Sequence, residues 1–204
     1  GHAFHVKKAS EETWNLLADS LNSGLSSSRA EVMKAAQITD PKVIKKIMPI
    51  HPMAALVLKN IAVSFQSNQR SMFDFIKTNS NDDVHAFQWF INARGPLDTH
   101  PLLTIDLLWN FFYEHGKDNL SSDIRMILDT FNQQKNLRED EQTVLKTILI
   151  MQAIDKRLGG EIDVLKPTEK NISLAFEGIS DYDGQRCVNI AKTLKNKGIL
   201  VLTP

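Results

Sequence analysis

The stretch MPIHPMAALVLKNIAVSFQSNQRSMFDFI, residues 48–76, decides the architecture. Pro52 stands where a first helical turn tolerates a residue that lacks an amide proton. From there Met53, Leu56, Val57, Leu58, Ile61, Val63 and Phe65 place apolar side chains on nearly every face. A helix that is apolar almost all round belongs in the interior, so other helices must wrap around it. The polar break Gln66-Ser67-Asn68-Gln69-Arg70 ends it. Met72, Phe73, Phe75 and Ile76 then read as a short aromatic anchor, with both phenylalanines buried.

Outward from this core helix, helical signals dominate. Ser10 can cap a helix with the apolar stripe Trp14, Leu17, Ala18 and Leu21, ended by Asn22-Ser23-Gly24. Ser28 and Glu31 have the spacing of a capping box for a second helix. Asp40-Pro41 is an N-cap followed by an N1 proline. Asp82-Asp83 opens a segment with Val84, Phe87, Trp89, Phe90 and Ile91 that Gly95-Pro96 stops. Ile105, Leu108, Trp109 and Phe112 recur at helical spacing up to His115-Gly116. Leu120 to Gln134 forms a further amphipathic helix with Ile124, Ile127, Leu128 and Phe131 on one face. These segments predict a helical, lid-like bundle over residues 8–135.

From residue 137 the pattern changes. A long helix, Arg138 to Leu158, ends at Gly159-Gly160. An extended segment is expected at Glu161–Leu165, then helices at Thr168–Phe176 and Gln185–Lys197, then a strand from Ile199 to Leu202. That order is the order of a winged helix-turn-helix, stopping before a second wing strand. The fold class expected is mainly α: a helical bundle followed by a winged-helix-like module over residues 137–204 with a short, incomplete β-wing.

Composition sets the outer bounds. The chain has 204 residues, 42% of them hydrophobic and 24% charged, which marks a folded protein and not a disordered tail. Lys+Arg and Asp+Glu both total 24, so no global field draws it to nucleic acid or anionic lipid. One cysteine, Cys187, precludes an internal disulfide and fits a reducing cytoplasm. No apolar run reaches the roughly 20 residues of a membrane span, so no membrane partner is expected. Gly1-His2 reads as a cloning remnant, and the end at Val201-Leu202-Thr203-Pro204 reads as a cut within a longer protein.

The motif P-I-H-P followed by Q-S-N-Q-R-S-M-F-D-F resembles a stretch downstream of the nucleotide-binding core in large bacterial P-loop (AAA+-like) ATPases of phage-defence systems, the BREX type among them. The resemblance is strongest over residues 48–76 and weaker over 140–200. It implies a cytoplasmic, non-catalytic helical and winged-helix region that couples nucleotide state to a partner or to DNA. ATP and magnesium would belong to the parent protein, and this chain itself would carry no cofactor. Partners would be the remainder of that ATPase, other defence-system proteins and, as a further candidate, DNA. The lid of such ATPases offers an arginine to phosphate, a task suited to an always-charged guanidinium fork. Arg70, with Asn68 and Gln69, is therefore the nucleotide-sensing candidate. Gln69 departs from the glutamate often found there. The structural alternative is that these three side chains cap the core helix.

Other chemistry is weighed against plainer roles. His51, just before a helix N-terminus that disfavours an imidazolium, is expected to be a neutral, hydrogen-bonded core residue, and His100-Pro101 repeats its dipeptide. His85, His100 and His115 have no paired metal-ligand spacing, and of His2 and His5, spaced i, i+3, the first reads as part of the cloning remnant. Cys187 shares an apolar face with Ala191 and Leu194 and reads as an inert thiol. Gly116-Lys117-Asp118 lacks the upstream glycine and following Ser/Thr of a phosphate loop, so this chain is not expected to be an enzyme. The last helix is the nucleic-acid candidate: Gln185, Asn189, Lys192 and Asn196 share a face, with Arg186 and Lys195 beside it. Residues 165–204 hold six Lys/Arg against four Asp/Glu, weakly basic for a DNA binder. A stand-alone winged-helix DNA-binding regulator with a helical dimerisation or effector region is the rival reading. A helical protein-interaction scaffold is the third.

Overall fold

The computed structural model describes residues 11–65, 72–79 and 83–200. The helices are α1 (Glu11–Ser23), α2 (Ser26–Ala36), α3 (Pro41–Lys46), α4 (Pro52–Phe65), α5 (Met72–Lys77) and α6 (Phe87–Ala93), then α7 (Ser122–Asp129), α8 (Glu139–Leu158), α9 (Glu169–Ala175) and α10 (Gly184–Asn196). The protein is mainly α. Among the described residues there is no strand. Two extended segments touch at a single parallel bridge, where the His51 amide donates to the Leu103 carbonyl and the Leu103 amide to that of Pro49.

The apolar α4 occupies the interior, with Met53, Val57 and Ile61 fully buried. It packs against α2 and α8. α8 is the spine: Val144, Leu145, Ile148, Leu149, Ile150, Met151 and Ile154 are buried, and it meets α4, α7 and α10. One continuous apolar core therefore reaches from α1 to the end of α10.

Several helix ends obey local chemistry. The Asp40 carboxylate accepts from the Lys42 amide at 2.9 Å, with Pro41 at N1. Gly159 takes φ 60 after α8. After α10, Gly198 at φ 73 lets its amide reach the Lys195 carbonyl while Ile199 N–H returns to Leu194, a Schellman turn. The Ser28/Glu31 capping box does not form. α2 begins at Ser26, and the amides of Ser27 and Ser28 donate to the carboxylate of Glu177, 150 residues away, at 3.0 and 2.5 Å. Glu31 pairs instead with Lys170.

Further expectations are corrected. Residues Asp163–Leu165 form a 3-10 turn and not an extended segment. No neighbouring strand offers a ladder, and the Asn171 amide group ties the turn by donating to the carbonyls of Asp163 and Lys166. The helix over Ile105–Phe112 splits into a 3-10 turn (Ile105–Leu108) and a π turn (Asn110–Glu114). The wide turn buries three successive rings, Phe111, Phe112 and Tyr113, which a regular helix would spread over about 200° of its surface. Gly116 closes it, since a Cβ there would lie 2.5 Å from the Phe112 carbonyl oxygen. Phe75 is buried but Phe73 is 64% exposed. Residues two apart on a helix point about 200° away from each other, and α5, unlike α4, is covered on one side only, the side of Phe75. The strand expected from Ile199 is not formed at Ile199 and Leu200, because the Ile199 amide turns back to Leu194, so no β-wing is present among the described residues; residues 201–202, Ser10 and Asp82 lie outside them.

One polar contact ties the start of α8 to the end of α10. The Glu141 carboxylate is fully buried, accepts from the Arg138 amide at 3.0 Å and from Lys197 Nζ at 2.6 Å. The Lys197 hydrogen bond holds its pKa below the usual carboxylate range. Glu141→Ala strands the N-cap amide and frees Lys197, and is expected to cost about 2–3 kcal/mol in urea unfolding. Lys197→Met, on an exposed side chain, should cost less, and equal losses would show that the ion pair alone matters.

Candidate functional site

α10 turns Cys187, Ile190, Ala191 and Leu194 inward. All six nucleic-acid candidates, Gln185, Arg186, Asn189, Lys192, Lys195 and Asn196, are exposed. Their partners limit what they offer. Gln185 Nε2 donates to Asn189 Oδ1 at 2.9 Å, so each amide already engages the other. The Arg186 guanidinium donates to the Asp181 carbonyl at 2.5 Å and to Asp140 at 3.3 Å, and lies 5.2 Å from the Tyr182 ring centre. Lys192 lies 3.7 Å from Glu169. Such exposed pairs are weak, yet they place a carboxylate beside two of the cations meant for phosphate. The nucleotide-sensing candidates Asn68, Gln69 and Arg70 lie outside the described residues.

Cys187 is buried, with its thiol pushed up to about 12 by desolvation. His51 is fully buried before α4, accepting at Nδ1 from the Met53 amide at 3.1 Å. Its Nε2–H therefore donates to the Glu177 carbonyl at 3.0 Å. Burial pushes its pKa down to about 4, so the ring is neutral. The same residue, Glu177, thus caps α2 through its carboxylate and receives His51 through its backbone.

The second His-Pro dipeptide differs. His100 is half-buried, packs edge-on to Tyr182 at 5.2 Å, and faces a polar cleft of about 450 Å³. That volume lies within the range of roughly 300–1,000 Å³ seen for small-molecule sites. One wall is α8, which presents Glu139, Gln142, Thr143 and Lys146 at helical spacing. The other is the 3-10/π segment, with Asp106, Trp109 and Asn110. The Asp106 carboxyl accepts from the Thr104 hydroxyl at 2.5 Å. Desolvation raises its pKa despite the nearby Lys146 and Arg94 charges. Desolvation, then Arg94, lowers that of His100.

Reading the sequence missed Arg94, Asp106 and Lys146 and gave His100 only a geometric role. Two signals were present: an aspartate inside the apolar run Leu102–Leu108, and a polar stripe on an otherwise buried helix. Among the described residues no group of three His, Cys, Asp or Glu could hold a metal ion, and no helix is long and apolar enough to cross a membrane. No protein-family model, curated protein or solved structure matches the chain.

Proposed function

We propose that the chain is a non-catalytic coupling region of a larger P-loop ATPase of the bacterial phage-defence type, joining a nucleotide-responsive segment at residues 66–71 to a docking face on α10. The observation that carries this reading is mechanical. α4, which leads directly into residues 66–71, packs on α8, and α8 supports α10. Close-packed interiors shift as units, so a displacement at the end of α4 has a continuous apolar route to α10. The resemblance supplies the nucleotide; spatial continuity supplies only the route. ATP and magnesium would be held by the parent, with Arg70 as the reporting side chain. The reading frame encoding the chain is expected to contain GxxxxGK[ST] upstream. A short, complete frame without it refutes the reading.

A winged-helix regulator is the second reading, favoured by the packing of α9 on α10 and by the exposed amides of Gln185 and Asn189. Against it, the link between α9 and α10 is longer than the 3–4 residues typical of a helix-turn-helix, and Arg186 and Lys192 have carboxylate partners. Protein docking is therefore the preferred role of α10. Titration of labelled duplex DNA at low salt is expected to give no saturable binding at high micromolar protein. Binding that weakens steeply with salt, with a slope flattened by roughly one for each of Lys192→Ala and Lys195→Ala, would replace the docking role with DNA contact.

A further inference from the structure

The cleft between α8 and the Ile105–Glu114 segment is lined by two cations, Arg94 and Lys146, and by three acids, Asp106, Glu114 and Glu139. Arg94 and Lys146 line it half-buried, and neither forms an ion pair among the described residues. The Lys146 ammonium lies over aromatic rings instead, 5.0 Å from the centre of Phe131 and 6.0 Å from that of Trp109. Both cations act on Asp106, but desolvation favours the uncharged form of that carboxyl, and Thr104 already occupies one of its oxygens. Neither Arg94 nor Lys146 comes within ion-pair distance of the Asp106 carboxyl.

The remaining acids of the cleft, Glu114 and Glu139, are exposed at its rim, where solvent and salt screen them. Glu114 also accepts from Asn110 Nδ2 at 2.8 Å. The lining also includes the apolar and aromatic side chains Leu107, Trp109 and Tyr182. Cationic groups withdrawn from water are stabilised when an anion joins them. A guanidinium fork and an ammonium that line one cleft suit the oxygens of an anion. One wall is a π turn, a helix irregularity that recurs at functional sites.

We propose that this cleft binds a small organic oxyanion, a carboxylate or phosphate monoester on a compact apolar body. Arg94 forks onto the oxygens, Lys146 supplies the second charge, and Leu107, Trp109 and Tyr182 cover the apolar part. This site is independent of the α10 face and of any nucleotide bound by a parent ATPase.

The test is a chemical-shift titration of the isotope-labelled chain with benzoate, with phenyl phosphate and, as cationic control, with benzylamine. Saturable shifts centred on His100, Lys146 and Tyr182 are expected with at least one of the anions, and the anion bound more tightly identifies the headgroup. Arg94→Gln and Lys146→Met should each weaken that binding about tenfold, the loss of one charge-assisted hydrogen bond. Lys192→Met, on the outer face of α10, should leave it unchanged. Methionine retains the lysine stem's packing over Phe131, so Lys146→Met still decides the matter if Arg94→Gln does not fold. No saturable shift with either anion, equal binding of benzylamine, or undiminished affinity in the Arg94 and Lys146 variants would overturn the proposal.

Discussion

Phe75→Ala is expected to destabilise the protein by about 3–5 kcal/mol, the cost of a large cavity left in a packed interior. The ring is fully buried, stacked on Phe112 with centroids 5.7 Å apart and edge-on to Phe111 at 5.4 Å. Removing it deprives both neighbours of contacts on the side where the π turn presents them. Phe73→Ala, two residues away, should change stability by no more than about 0.5 kcal/mol, because its ring already meets water. Urea unfolding of the two variants side by side provides the measurement. Comparable losses would mean that Phe73 is buried in solution. A silent Phe75→Ala would remove the aromatic cluster as a source of stability.

Lowering the pH from 6.5 to about 4 is expected to remove about 3 kcal/mol of stability through His51 alone. In the unfolded chain the imidazole takes a proton near 6.5, whereas burial delays protonation in the folded protein to about 4. Between those values the unfolded state binds more protons, so stability falls as the pH falls. Above this window His51 contributes no slope, and below it the loss is complete. Protonation would also remove the acceptor that holds the Met53 amide at the start of α4. Urea midpoints measured from pH 4 to 7.5 should decline on acidification, with a shallower decline in His51→Gln. The same slope in both proteins, or a His51 ring that titrates near 6.5 in the folded state, would contradict the buried neutral assignment.

Legibility followed the range of the interactions. The bounds of α4 and α8 could be read closely because proline, glycine and apolar spacing act within one or two turns. Asp40 and Gly198 were equally local signals. The capping box at Ser28 failed because Glu177, brought in by the fold, competes for the same amides. Ile105–Phe112 looked like one regular helix because burial of three successive rings depends on the surfaces packed around them. Helical phase sets Phe73 and Phe75 on opposite sides of α5, but which side the fold covers depends on Phe111 and Phe112 packed against it.

The candidate sites divide in the same way. The α10 face was visible because its residues lie on one helix, although its carboxylate partners, Asp140 and Glu169, were not. The cleft was hidden because its residues come from three separate stretches of chain, Arg94 to Asp106, Lys146 and Tyr182. The sequence by itself determined the helical class, the core helix and most helix ends, since backbone capping and hydrophobic period are local properties. Tertiary structure alone decided which charges are neutralised and which polar groups converge, because electrostatic partnership and desolvation depend on distances between segments that the order of residues does not specify.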